Sequence, residues 1–287
     1  MAFALPRILS GLGEIAAGYD SLVCDVWGVL HDGRRIHAPA AEALIHFREN
    51  FGPVVLLSNA PRLAREVQAQ LDGLGVPRAA YDGIVTSGEA ARADLARRAK
   101  NASRPLALLH VGPERDRLVH EGLSVRLVAA PEAEIVLCTG LYDDETETLD
   151  TYKGMLADFR TRNLTLLCAN PDIVVQRGNK LVFCAGAIAR AYEAIGGRAV
   201  YFGKPHPPVY ETVSSFLRER GGTRPLAIGD GLGTDIRGAN AAGLDALFIA
   251  DGIHGEEIGP GGDAESVARL LARERVTCIA AMVALAW

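Results

Sequence analysis

The sequence predicts an α/β fold in which a parallel sheet with crossover helices is interrupted by an inserted domain. Three observations carry this. Short apolar runs alternate with helical patterns at the start of the chain. Polar residues of a few chemical kinds stand just after those runs. The opening rhythm fades in the middle and returns near residue 199. A chain of 287 residues has room for two domains, and its 31 glycines suit many strand-to-helix turns better than a helical bundle.

Each element follows in order. Residues 21–24 (SLVC) are apolar and stop at Asp25, and 38–50 read as a helix. Residues 53–57 (PVVLL) form a buried-strand run ending at Ser58-Asn59, and 61–74 are helical, with Pro61 acceptable in a first turn. Residues 83–85 are a short strand and 89–100 a helix. In the middle, 106–111, 125–128, 135–138 and 164–168 look like strands, while 113–121, 145–160 and 185–195 look like helices. Then 199–202 lead into Gly203-Lys204-Pro205, 209–220 are helical, and 225–228 end at Gly229-Asp230. A helix over 234–242 and a strand over 247–250 complete the pattern. The expected division is a core from 1–102 and 199–287 with an inserted domain at 103–198.

Composition removes several classes of function. The apolar share of 49% and the charged share of 23% are those of an ordinary globular chain. A net charge of −5 argues against a nucleic-acid binder, which carries a basic stripe. It leaves an anionic substrate open, because a bound divalent cation reverses the local field. The five cysteines include no CxxC pair, so a disulfide framework or zinc site is not expected and a reducing compartment fits. The first twenty residues lack the pattern of a signal peptide. The longest apolar run, 278–287, is far short of the ~20 residues that span a bilayer. A cytoplasmic protein is expected, with no membrane partner and with the 278–287 tail packed on the body or on a partner.

Four polar clusters follow four expected strands: Asp25, Ser58-Asn59, Lys204, and Asp230 with Asp235. In an open α/β sheet, ligands bind beyond the carboxyl ends of the strands. If the four strands are parallel neighbours, these residues share one crevice. Asp25 and Asp230 are hard oxygen ligands suited to Mg²⁺. Lys204 can neutralise remaining charge, Ser58 can donate to a phosphoryl oxygen, and a carboxylate can attack phosphorus. Taken singly, each has a structural explanation as a cap, a turn residue or a solvated lysine. Their order and their common placement at strand ends favour chemistry.

These motifs resemble the haloacid dehalogenase (HAD) superfamily, specifically its class IIA branch of NagD-like and pyridoxal-phosphatase-like hydrolases. CDVWGVLHDG (24–33) resembles the first motif, LLSNAPR (56–62) the second, GKPHP (203–207) the third and GDGLGTDIRGANAAG (229–243) the fourth. TSGEA (86–90) and CANPD (168–172) also resemble that branch. The resemblance implies a Rossmann-like parallel-sheet core with an inserted α/β cap, and a Mg²⁺-dependent phosphatase acting on a small phosphorylated metabolite, sugar phosphate or nucleotide-like. It implies Asp25 as nucleophile forming an aspartyl-phosphate, with Ser58, Asn59 and Lys204 holding the phosphoryl group. Asp25, the backbone carbonyl of Trp27 and Asp230 would hold the metal, with Asp235 in support. Asn170 and Asp172 would lie near the substrate, and a homodimer through the caps is compatible with the branch. A turn closed by Asn and Pro explains CANPD as well, and Arg177 and Lys180 are candidate anion contacts or solvated charges.

One position departs from the pattern. HAD phosphatases carry an Asp two residues after the nucleophile as general acid and base, and here that position is Trp27. Three readings follow. Another group, His31 or Asp32, supplies the proton; the leaving group needs none; or the chain is a catalytically weak or inactive ligand-binding protein. Retention of Asp25, Lys204, Asp230 and Asp235 favours catalysis. A nucleotide-binding dehydrogenase is disfavoured because GxGxxG does not follow the first strand, and a receiver domain because of the long insertion.

Overall fold

A computed structural model describes residues 5–177, 180–259 and 261–287; the side chains of 176 and 177, including the Arg177 singled out above, lie outside the description. The strands are β1 (Arg7–Ile8), β2 (Ser21–Asp25), β3 (Val54–Ser58), β4 (Gly83–Thr86), β5 (Leu106–Val111), β6 (Val125–Leu127) and β7 (Ile135–Cys138). They continue with β8 (Thr165–Cys168), β9 (Val174–Arg177), β10 (Lys180–Phe183), β11 (Arg198–Tyr201), β12 (Pro225–Gly229), β13 (Asp245–Ile249) and β14 (Ala280–Met282). The helices are α1 (Ala38–Asn50), α2 (Ala64–Leu74), α3 (Ser87–Asn101), α4 (Lys153–Thr161), α5 (Ala185–Ala194), α6 (Pro207–Arg218), α7 (Arg237–Ala241), α8 (Gly255–Ile258) and α9 (Ala264–Glu274). The mixed α/β class expected from the alternation is what forms.

The chain divides into two compact units. The first comprises 1–58, 68–85 and 210–287, and the second 59–67 and 86–209.

In the first unit, the described strands form a sheet of order β1-β14-β13-β12-β2-β3-β4. The central strands β12, β2 and β3 pair in parallel, with Ile228 beside Cys24 and Asp25 beside Leu57. Every residue of β2 and β3 is buried, which explains their unbroken apolar runs: strands covered on both faces do not alternate. The 278–287 tail packs on the body. Its β14 lies between β1 and β13, and the Trp287 ring sits 4.0 Å from His46 and 5.7 Å from Phe51. Helix α9 starts at Asp263, whose carboxylate accepts the Glu265 and Ser266 amides at 3.0 and 2.9 Å.

The second unit holds a parallel sheet of order β11-β8-β7-β5-β6 and an antiparallel hairpin, β9–β10. One of its cores packs Val136, Tyr152, Phe159, Leu166 and Tyr192; another packs Ala91 and Leu95 of α3 against Leu108 and Leu167. Thr86 caps α3 by accepting the Glu89 amide at 3.1 Å, while its own hydroxyl donates to the Arg62 carbonyl at 2.7 Å.

Several expectations need correction. The strand before Lys204, β11, belongs to the five-stranded sheet, so the four strands are not parallel neighbours. A four-residue apolar run carries no information about which sheet it joins. The helix expected over 145–160 begins only at Leu149, as a tight turn leading into α4. Upstream of it, the Asp143 carboxylate accepts the Glu145 amide and Thr146 hydroxyl and closes a loop. Residues 114–119 form a 3₁₀ segment, and the helix expected at 234 opens with a π-turn over Leu232–Ile236.

Candidate active site

Three polar residues lie at the carboxyl ends of adjacent parallel strands in the first unit. Asp25 ends β2, Ser58 ends β3 and Asp230 follows β12. Each is nearly closed to solvent, at 7%, 7% and 6% exposure. Asp235, within the π-turn, joins Asp25 and Asp230 so that one ligand oxygen from each lies within 4.8 Å of the others. Among the described residues, this is the only such group of candidate ligands. A small cavity beside Asp25 and Asp235 is also lined by Val23, Leu57, Tyr210, Ala227 and Ile228.

Local backbone fixes this cluster. Gly28 has φ +88°, and a Cβ there would meet the Asp230 carboxylate at 2.2 Å; a Cβ on Gly252 would meet the same carboxylate at 2.0 Å. The Ile253 amide donates to Asp230 at 2.8 Å, and the Gly231 amide donates to Asp235 at 3.1 Å. Sequence reading did not single out Gly28 or the Gly252-Ile253 turn. The signal for the latter was there, since a glycine turn follows β13 as one follows β12. Three buried carboxylates this close repel one another strongly unless a cation is shared. An all-oxygen, hard, anionic donor set fits Mg²⁺ better than a transition metal.

The loop after β2 holds Trp27, His31 and Asp32. The Trp27 ring packs edge-on to His31 at 5.0 Å and against Gly33, where a Cβ would meet the ring at 2.6 Å. His31 is 1% exposed, and its Nδ1 accepts the Gly33 amide at 2.9 Å. The Asp32 carboxylate accepts the Arg34 and Arg35 amides at 2.8 and 2.7 Å. Those hydrogen bonds, Arg35 before Arg34, outweigh burial and hold its carboxyl below the usual range.

In the second unit, Asn59 clamps the backbone of Lys204. Its Oδ1 accepts the Lys204 amide at 2.7 Å, and its Nδ2 donates to the Lys204 carbonyl at 3.1 Å and to Asp172 Oδ1 at 2.8 Å. Lys204 is 3% exposed. Nearby, the hydroxyl of Ser87, in the TSGEA stretch, donates to the Phe202 carbonyl just before Gly203-Lys204. Asn170 accepts the Asp172 amide at 3.0 Å, so it closes a turn. Lys180 is exposed and pairs with Glu145 at 3.5 Å. A further buried group, Asp116, sits 3% exposed; burial pushes its carboxyl up to about 6 against the opposing pull of Arg115, Arg62 and Thr139.

Comparison with known proteins identifies the lineage. A family model for haloacid dehalogenase-like hydrolases matches residues 22–124, and a HAD-hydrolase-like model matches 201–270. A solved hydrolase of the haloacid dehalogenase-like family from Brucella suis is 42% identical, with TM-score 0.84, over 97% of this chain and 100% of that one. The chain belongs to the haloacid dehalogenase-like hydrolases. This HAD hydrolase is also 27% identical over 243 residues to the ribonucleotide monophosphatase NagD of Escherichia coli, covering 81% of the chain and 88% of NagD. It is 30% identical over 252 residues to a D-glycerol 3-phosphate phosphatase of Mycobacterium tuberculosis, covering 84% of the chain but only 65% of that longer relative. A structure of the mycobacterial glycerol phosphate phosphatase with magnesium aligns at 25% identity and TM-score 0.63, over 89% of this chain and 78% of that one. Among the described residues, no helix of this HAD hydrolase is long and apolar enough to cross a membrane.

Proposed function

We propose that this HAD hydrolase is a Mg²⁺-dependent phosphatase that acts on a small phosphorylated metabolite through an aspartyl-phosphate on Asp25. The observation that carries this reading is the buried Asp25–Asp230–Asp235 cluster at the ends of β2 and β12. Phosphatase relatives in two bacteria support it.

Asp25, Asp230 and the Trp27 carbonyl would hold the ion, with Asp235 in support, and the ion would offset phosphoryl charge. A carboxylate oxygen of Asp25 attacks phosphorus as the bond to the leaving oxygen breaks. Water then hydrolyses the acyl phosphate, releasing inorganic phosphate and restoring the carboxylate. Ser58 donates to a phosphoryl oxygen, and Lys204 offsets charge there; the role of Lys204 rests on the GKPHP motif. Asn59 acts by fixing the Lys204 backbone, because its side-chain amide is engaged there and at Asp172. Asp172, through that bond, belongs to the same framework, and Asn170 shapes its turn. The reading keeps 1–102 with 199–287 as the catalytic core and 103–198 as the cap that selects substrate.

The test is phosphate release by the purified full chain from a panel of phosphorylated metabolites. Turnover that requires Mg²⁺ and disappears in Asp25→Asn is expected. Binding of Mg²⁺ and phosphorylated ligands without turnover on any member would sink the reading in favour of a binding protein.

A further inference from the structure

We propose that the preferred substrate carries an acidic leaving group that departs without a proton from the protein: an acyl phosphate, an aryl or enol phosphate, or a phosphoanhydride. This rests on the phosphatase reading and narrows it, setting simple alkyl esters apart. Three features of the loop after β2 carry it.

By the motif resemblance, the position at which HAD phosphatases carry an acid holds Trp27, whose indole is a hydrogen-bond donor with no transferable acidic proton. The ring is also held in place. Gly33, at φ +88°, leaves the space it fills, and the His31 ring packs against it at 5.0 Å.

His31 is closed off. It is 1% exposed, and its Nδ1 accepts the Gly33 amide, which ties the imidazole to the backbone of its own loop. Asp32 is exposed, and one of its carboxylate oxygens caps the loop backbone. Its carboxylate receives two backbone N–H groups, which favour the ionised form, the reverse of what a proton donor needs.

The chemistry then balances without a protein acid. An Asp25 oxygen forms its bond to phosphorus, and the leaving oxygen takes the electron pair of the broken bond. It departs as a carboxylate, phenolate, enolate or phosphate anion. An alkoxide in the same place is a far poorer leaving group, and protonating it is worth about 10²–10⁴-fold.

The test is kcat/KM of the full chain with saturating Mg²⁺ over a graded series: acetyl phosphate, pyrophosphate, p-nitrophenyl phosphate, phenyl phosphate and glycerol phosphate. A fall of at least about 10²-fold from the most acidic to the alkyl leaving group is expected. The leading member identifies which of the three chemistries the site prefers. Trp27→Asp should raise the ratio of alkyl to acetyl phosphate turnover at least about tenfold; should that variant not fold, the wild-type series decides alone. A rate independent of leaving-group acidity overturns this inference and leaves the phosphatase reading standing. No turnover on any member overturns both.

Discussion

Gly28 and Asn59 carry no reactive group, yet each fixes a candidate functional residue, Asp230 and Lys204 in turn. A methyl group at Gly28 would meet the Asp230 carboxylate at 2.2 Å, in a backbone region that L-residues rarely adopt. Gly28→Ala should therefore weaken Mg²⁺ binding, measured by calorimetry, and lower stability by about 1–3 kcal/mol. Asn59→Ala removes both bonds to the Lys204 backbone, and a buried group that loses its partner costs about 1–3 kcal/mol. We expect a lower melting temperature and a fall in kcat of at least about tenfold; a variant with wild-type kcat would remove Asn59 from the positioning role. The candidate metal-binding carboxylates were legible in the sequence because strand-end acids in a fixed order are a chemical pattern. The Asn59 clamp was not, since its partner lies 145 residues away and an Asn beside a proline-started helix reads as a cap.

At the scale of elements, what was legible followed burial. Strands β2 and β3 declared themselves by unbroken apolar runs, and α1 begins and ends where its pattern predicts. Strand β14 did not, because Ala280–Met282 is alanine-rich and short, and only its neighbours β1 and β13 make it a strand. The 3₁₀ segment Glu114–Val119 carries a testable electrostatic feature. Asp116 has a folded value of about 6, above its ordinary 3.8, because burial penalises the charge. The sign follows by linkage: the unfolded chain gives up this proton first, so the group costs stability as pH rises from about 4 to 6 and fully above that. Asp116→Asn should match the wild type near pH 4 and exceed it in melting temperature at pH 7. An advantage already complete at pH 4 would contradict the assignment. At α9, Asp263→Ala removes an N-cap that accepts two amides and should lower the midpoint of chemical denaturation.

At the scale of the molecule, a chain with net charge −5 is read as an enzyme for anionic substrates. The physical reason is local. Three of the 35 acidic residues converge with ligand atoms within 4.8 Å, a local negative charge that a shared divalent cation would reverse. Family membership agrees with the sequence motifs, of which 24–33 and 229–243 lie in the first unit and 203–207 in the second. The seating of β11 in the five-stranded sheet was beyond the sequence, because pairing partners are chosen by tertiary packing. The central claim is that Asp25 is a nucleophile whose work depends on Mg²⁺. It is tested most directly by phosphate release from p-nitrophenyl phosphate, an acidic leaving group, in wild type and Asp25→Asn, each with Mg²⁺ and with chelator. The account predicts turnover in the wild type with Mg²⁺ alone, and a loss to background in the other three arms. An undiminished rate in folded Asp25→Asn would contradict it.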